Sequence, residues 1–81
     1  MPQIRVLSGR DAVRIFEVFG FSIAHQRGSH VKLKRTPDTG AAQTLTVPLH
    51  DEIDKGTLMA IYRQALRYIP QDELRKHFYS E

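Results

Sequence analysis

The stretch Arg27-Gly28-Ser29-His30-Val31-Lys32-Leu33 decides the fold of this chain, because a turn signal in it leads directly into a strand signal. A Gly-Ser pair is short enough for a two-residue hairpin loop, and Gly28 can adopt the positive φ that such loops require. Apolar and basic side chains alternate from His30 onward, which predicts a half-buried strand over His30 to Arg35.

The two faces of this predicted strand differ in chemistry. Val31 and Leu33 belong to the face that meets a core, whereas the opposite face carries His30, Lys32 and Lys34. A strand buried on both sides would not carry three such groups, so we expect this face to meet an anionic ligand. Of the three, His30 is the group that exchanges protons near neutral pH.

The rest of the chain supplies partners for the apolar face. Ser8-Gly9-Arg10-Asp11 fits a capping box, which predicts a first helix that ends at Gly20 with a positive φ. A strand over residues 21–27 should direct Phe21, Ile23 and His25 inward and Ser22 and Ala24 outward. A third strand is predicted over Thr44 to Val47, followed by Pro48.

Two helical segments follow. The apolar spacing predicts a helix from about Asp54 to Ile69, with Arg63, Gln64 and Arg67 on its solvated side, and a short helix after Pro70. The order α-β-β-β-α-α predicts an α+β fold, with helices on one face of a three-stranded antiparallel sheet. A chain of this length predicts a single domain over residues 1–81.

Composition narrows the classes of function. The 81 residues include 12 Lys and Arg against 9 Asp and Glu, so the formal net charge is +3, which weakly favours a polyanionic ligand. The lack of cysteine excludes disulfides and cysteine-based zinc sites. No apolar run approaches the roughly 20 residues that span a bilayer, so we expect no membrane partner and a cytoplasmic location.

Four blocks of the sequence resemble the signature of the HicA (YcfA-like) family, in the family's order and spacing. They are Gly20-Phe21, Gly28-Ser29-His30-Val31, Thr46-Val47-Pro48-Leu49-His50 and Lys55-Gly56-Thr57-Leu58. The resemblance implies a fold similar to a double-stranded RNA-binding domain. It also implies an mRNA interferase, the toxin of a toxin-antitoxin module, held inactive by a HicB-type antitoxin. The family's catalytic histidine corresponds to His30.

Ribonuclease chemistry needs few protein groups, because RNA carries its own nucleophile in the ribose 2′-hydroxyl. His30 is the predicted base, or alternates between base and acid, since histidine exchanges protons near neutral pH. Cationic side chains and backbone amides would stabilise the phosphorane and hold the RNA. The predicted RNA-binding residues around His30 are Arg27, Gly28, Ser29, Lys32, Lys34 and Arg35.

His50 is a possible second proton carrier, and the alternative is an ordinary loop residue. His25 and His77 are expected to be structural. Lys55-Gly56-Thr57 starts the predicted second helix, where free amides and the helix dipole favour a phosphate. The alternative there is plain capping by Asp54.

The residues suggest no metal ligand set and no cofactor, because His50-Asp51-Glu52 is too compressed to converge on one ion. The expected mechanism is therefore metal-independent. Two other functions remain open: a non-catalytic RNA-binding module and a pure protein-interaction domain. Cleavage of bound RNA separates the first from a nuclease, and a steep salt dependence separates RNA binding from protein binding.

Overall fold

A computed structural model describes residues 2–80, so Met1 and Glu81, the ends of the predicted domain, lie outside the described residues. Its helices and strands, in chain order, are β1 (Gln3–Ile4), α1 (Gly9–Val18), β2 (Ser22–Arg27), β3 (His30–Arg35), β4 (Gln43–Pro48), α2 (Lys55–Ala65), α3 (Gln71–Phe78) and β5 (Tyr79–Ser80). The α+β prediction is confirmed, with a sheet of order β2-β3-β4 in which both pairs are antiparallel.

The core lies between one face of this sheet and the three helices. Val31 and Leu33 pair across strands with Val47 and Leu45, and all four side chains are buried. The helices add the buried side chains of Phe16, Leu58, Leu74 and Phe78, and the segment between α2 and α3 adds Ile69. The alternation predicted for β3 is therefore confirmed.

The predicted start and end of α1 are also confirmed. The Ser8 side chain accepts a hydrogen bond from the Asp11 amide, and the Asp11 carboxylate accepts one from the Ser8 amide, each at 3.0 Å. After the last turn, Gly20 has a φ of +91°. Both ends of α1 are thus fixed by local side-chain and backbone chemistry.

In β2 the predicted inward orientation holds for Ile23 but is wrong for His25. Ile23 pairs with Leu33 on the inner side, yet half of the Ile23 side chain is exposed, since an open cavity separates it from α1. A β-bulge follows, because His25 rather than Ala24 pairs with Lys32. The extra residue turns His25 to the outer face of the sheet.

The second predicted helix ends earlier than expected. α2 ends at Ala65, and the amides of Arg67 and Tyr68 bond to carbonyls three residues back, which tightens the chain into a turn. Ile69 cannot readily stay helical because Pro70 follows it. α3 then begins at Gln71 and places Leu74 and Phe78 in the core.

A second, two-stranded sheet joins distant parts of the chain. β1 pairs antiparallel with β5, so that Gln3 lies opposite Ser80 and Ile4 opposite Tyr79. Arg5 extends this contact, because its guanidinium donates to the His77 carbonyl at 3.1 Å. Among the helices described over residues 2–80, none combines the length and apolarity that a bilayer crossing demands.

Candidate functional site

The outer face of the three-stranded sheet concentrates positive and titratable groups. Cross-strand pairing places Arg27 opposite His30 and His25 opposite Lys32. On the other side of the bulge, Ser22 lies opposite Lys34. All of these side chains are exposed. The bulge therefore adds a second histidine to the face that the sequence predicted to be cationic.

Within residues 2–80, no acidic side chain forms an ion pair with these groups. The ion pair between Arg14 and Asp11, at 3.9 Å, lies on α1, away from the outer face. Unpaired cations on one exposed surface create a positive potential that attracts anionic ligands.

His30 also lines an open groove of about 590 Å³ where β3 and β4 meet α2. The residues that line it are His30, Thr46, Pro48, Thr57, Ala60, Ile61, Arg63, Gln64 and Arg67. Its floor is apolar, since Pro48 and Ile61 are buried, and its walls carry hydroxyl, amide and guanidinium groups. Such a mixture is typical of ligand-binding clefts.

The turn before β3 fixes where His30 enters the groove. Gly28 has a φ of +59°, whereas Ser29 does not have a positive φ, the combination found in type II′ hairpin turns. The Ser29 carbonyl then accepts a hydrogen bond from the Leu49 amide, just past the end of β4. His30 therefore lies between its two neighbouring strands, opposite Arg27 on β2 and opposite Pro48 on β4.

The contribution of α2 to the groove was missed in the sequence. Arg63, Gln64 and Arg67 were predicted as a solvated side, yet they share the groove with His30 and Thr57. Their spacing of three and four residues did indicate a common helix face. Which way that face points depends on how α2 docks beside β4.

Arg35 lies at the end of β3 farthest from His30, and its side chain stabilises the fold. Its guanidinium donates to the Gln43 side chain at 2.7 Å, to the Phe19 carbonyl at 2.7 Å and to the Tyr68 carbonyl at 2.9 Å. The same group lies 4.8 Å from the centre of the Phe21 ring. Arg35 thus joins the end of α1 to the turn after α2, and we leave it out of the RNA-binding set proposed below.

At the start of α2, the structure shows capping by Asp54. The Asp54 carboxylate accepts hydrogen bonds from the Thr57 hydroxyl at 2.7 Å and from the Thr57 amide at 3.0 Å. These bonds hold the pKa of the Asp54 carboxyl below its usual range. An anionic cap at this position opposes a phosphate there, and Lys55 lines a different cavity, with Met59 and Tyr79.

His50 is exposed in the loop after β4 and does not line the groove; its carbonyl accepts a hydrogen bond from the Gly9 amide at 2.9 Å. Our proposal for the chemistry therefore rests on His30. Over the described part of the chain, no group of three or more His, Asp or Glu side chains is arranged to hold a metal ion.

Comparison with known proteins identifies the family. Searches of curated proteins and of solved structures found no significant match. A family model described as HicA toxin of bacterial toxin-antitoxin matches residues 9–66, which include α1, the three-stranded sheet and α2. The resemblance seen in the sequence is confirmed: the chain belongs to the HicA toxin family of bacterial toxin-antitoxin systems.

Proposed function

We propose that this chain is a metal-independent endoribonuclease that cleaves mRNA and thereby stops translation, and that a HicB-type antitoxin neutralises it. The observation that carries the proposal is the position of His30: exposed, on a face without acidic side chains, and open to a groove large enough for part of an RNA strand. The proposed place of action is the cytoplasm, where mRNA is translated.

In the proposed reaction, neutral His30 accepts the proton of a ribose 2′-hydroxyl. The 2′-oxygen forms a bond to the adjacent phosphorus while the bond from phosphorus to the 5′-oxygen breaks. One proton moves in net from the 2′-oxygen to the 5′-oxygen, so the products are a 2′,3′-cyclic phosphate and a 5′-hydroxyl. General base catalysis of this kind contributes about 10²- to 10⁴-fold to the rate.

The cationic neighbours of His30 would stabilise the charge that develops on the phosphate. Arg27 lies directly opposite His30 in the hairpin, and Lys32 is the next outward residue on β3. Charge stabilisation by such groups is worth about 10²- to 10³-fold for a single well-placed donor. The amides of Gly28 and Ser29 lie in the same turn, and Lys34 extends the positive surface along β3.

The test compares the native protein with His30→Ala and His50→Gln on a defined single-stranded transcript in EDTA, with cut sites mapped by primer extension. We expect the native protein and His50→Gln to cut at the same positions and His30→Ala to leave the transcript intact. His30 is exposed, so His30→Ala should keep the native thermal melting curve.

Each other result has a definite meaning. Cleavage by His30→Ala would contradict the assignment of the base, and loss of cleavage in His50→Gln would return His50 to the mechanism as second proton carrier. If none of the proteins cuts the transcript but all bind it, the chain is an RNA-binding module. Induction of each variant in growing cells, with and without the antitoxin, gives the matching measurement of growth arrest.

A further inference from the structure

The wall of the groove that faces His30 carries two arginines at the carboxyl end of α2, Arg63 and Arg67. Arg63 lies in the last turn of α2, and Arg67 lies in the turn that follows. Both side chains are exposed, and neither has a hydrogen-bond or ion-pair partner among the described residues.

The spacing of the pair suits a repeating anion. At the rises of α- and 3₁₀-type turns, about 1.5 and 2.0 Å per residue, four residues separate the two backbones by about 6–8 Å along the axis. Successive phosphates of an RNA strand are separated by a similar length. A guanidinium presents a planar fork of N–H donors that can bind phosphate oxygens in pairs, which a lysine cannot do.

The remaining lining of the groove is compatible with a sugar-phosphate backbone. Thr46, Thr57 and Gln64 supply hydrogen-bonding groups, and the groove lining contains no acidic side chain and no Phe, Tyr or Trp. Phe, Tyr and Trp are the usual platforms for base stacking, whereas guanidinium, amide and hydroxyl groups bind phosphate and ribose oxygens. The lining is therefore suited to contacts with phosphates and riboses.

We propose that Arg63 and Arg67 bind two successive phosphates of a single RNA strand and hold that strand across the groove, with a ribose 2′-hydroxyl facing His30. This inference rests on the proposed ribonuclease function, because it gives the same groove the same substrate. It adds a second half to the site: the sheet supplies the base, and α2 with its following turn holds the strand.

The experiment measures binding separately from cleavage. The probe is a fluorescent single-stranded oligonucleotide with 2′-O-methyl riboses, which lacks the nucleophile and cannot be cut by the proposed reaction. Its affinity is measured by anisotropy between 50 and 200 mM salt for native protein and for the double variant Arg63→Gln/Arg67→Gln. The matched control is Arg10→Gln/Arg14→Gln, which removes the same charge at the same spacing from exposed positions on α1.

Removal of two phosphate contacts should reduce the slope of log affinity against log salt by about 1.4, at about 0.7 per contact for single strands. Over this salt range, the native protein should lose about sevenfold more affinity than the double variant. The α1 control should keep the native slope. Thermal melts of both double variants establish that each one folds.

The possible results separate this inference from the proposed function. A native slope in Arg63→Gln/Arg67→Gln, or an equal reduction in the α1 control, overturns the inference even if natural RNA is cut. A reduced slope supports it even if natural RNA is never cut, in which case the nuclease proposal fails alone. If the arginine pair is needed for binding of a poly-glutamate peptide but not of the oligonucleotide, the groove is a protein interface and the inference is wrong.

Discussion

Gly9 offers a sharp test of how the groove is held in place. It is the first residue of α1, and its amide donates to the His50 carbonyl at 2.9 Å. A Cβ added here would collide with the Pro48 carbonyl oxygen and lie 2.5 Å from Leu49 Cα, closer than real Cβ atoms approach other atoms. Both atoms belong to the backbone, so movement of a flexible side chain cannot relieve the collision.

Helix propensity and packing predict opposite signs for Gly9→Ala. Alanine is favoured over glycine in a helix by up to about 1 kcal/mol. Overpacking against backbone should cost about 3 kcal/mol, at the upper end of its usual range. The expected net loss in the free energy of unfolding is therefore about 2 kcal/mol, which in a domain of this size lowers the melting temperature by about 8–16 °C.

Gly56→Ala is the matched control, since Gly56 is also in the first turn of a helix. Its added Cβ would lie 3.5 Å from the nearest Asp54 oxygen, an ordinary contact, so we expect Gly56→Ala to be neutral or up to about 1 kcal/mol more stable. Circular dichroism melts and urea titrations of both variants measure the difference. A Gly9→Ala protein as stable as the native one would refute the argument from close approach.

Two further predictions concern Arg35 at the end of β3 and Asp54, which caps the start of α2. Arg35→Lys should lower the free energy of unfolding by about 2 kcal/mol, because one ammonium cannot replace three hydrogen bonds in different directions, while the salt slope of RNA binding stays native. A reduced slope would return Arg35 to the RNA-binding surface. The pKa of Asp54 is lowered in the folded state, so its cap stabilises the fold above the ordinary pKa near 3.8 and loses this effect as pH falls below it. Melts from pH 6 to pH 2 should therefore show a shallower acid destabilisation in Asp54→Asn, and identical pH profiles would contradict the role of the cap.

The parts of the fold that were predictable from sequence are those set by near neighbours. The capping box of Ser8 and Asp11, the positive φ of Gly20 and the alternation along β3 each depend on residues within a few positions of one another. Local hydrogen bonds and side-chain periodicity decide them, so their signals survive in the sequence. For the same reason His30 was placed correctly on an exposed, basic strand face.

The parts that were not predictable depend on contacts between distant segments. The residues near Ala24 carry no sequence signal for a β-bulge at this position. The bulge is defined only by the pairing of β2 with β3. The pairing of β1 with β5 joins two-residue strands from opposite ends of the described chain, too short for a periodic signal. Arg63 and Arg67 enter the groove only because α2 docks beside β4, so sequence spacing could show that they share a face but not where it points.

The bulge in β2 has a consequence for the molecule in concentrated solution. β2 is the outermost strand of its sheet, every residue in it is exposed, and its outer edge has no strand partner within the described residues. A straight edge of this kind would be a template on which strands of other molecules could add. The unpaired residue at Ala24 interrupts the regular spacing of donors and acceptors, and Arg27 adds charge beside it. The insertion that turns His25 toward the cationic face thus also makes the open edge of the sheet a poorer template for strands of other molecules.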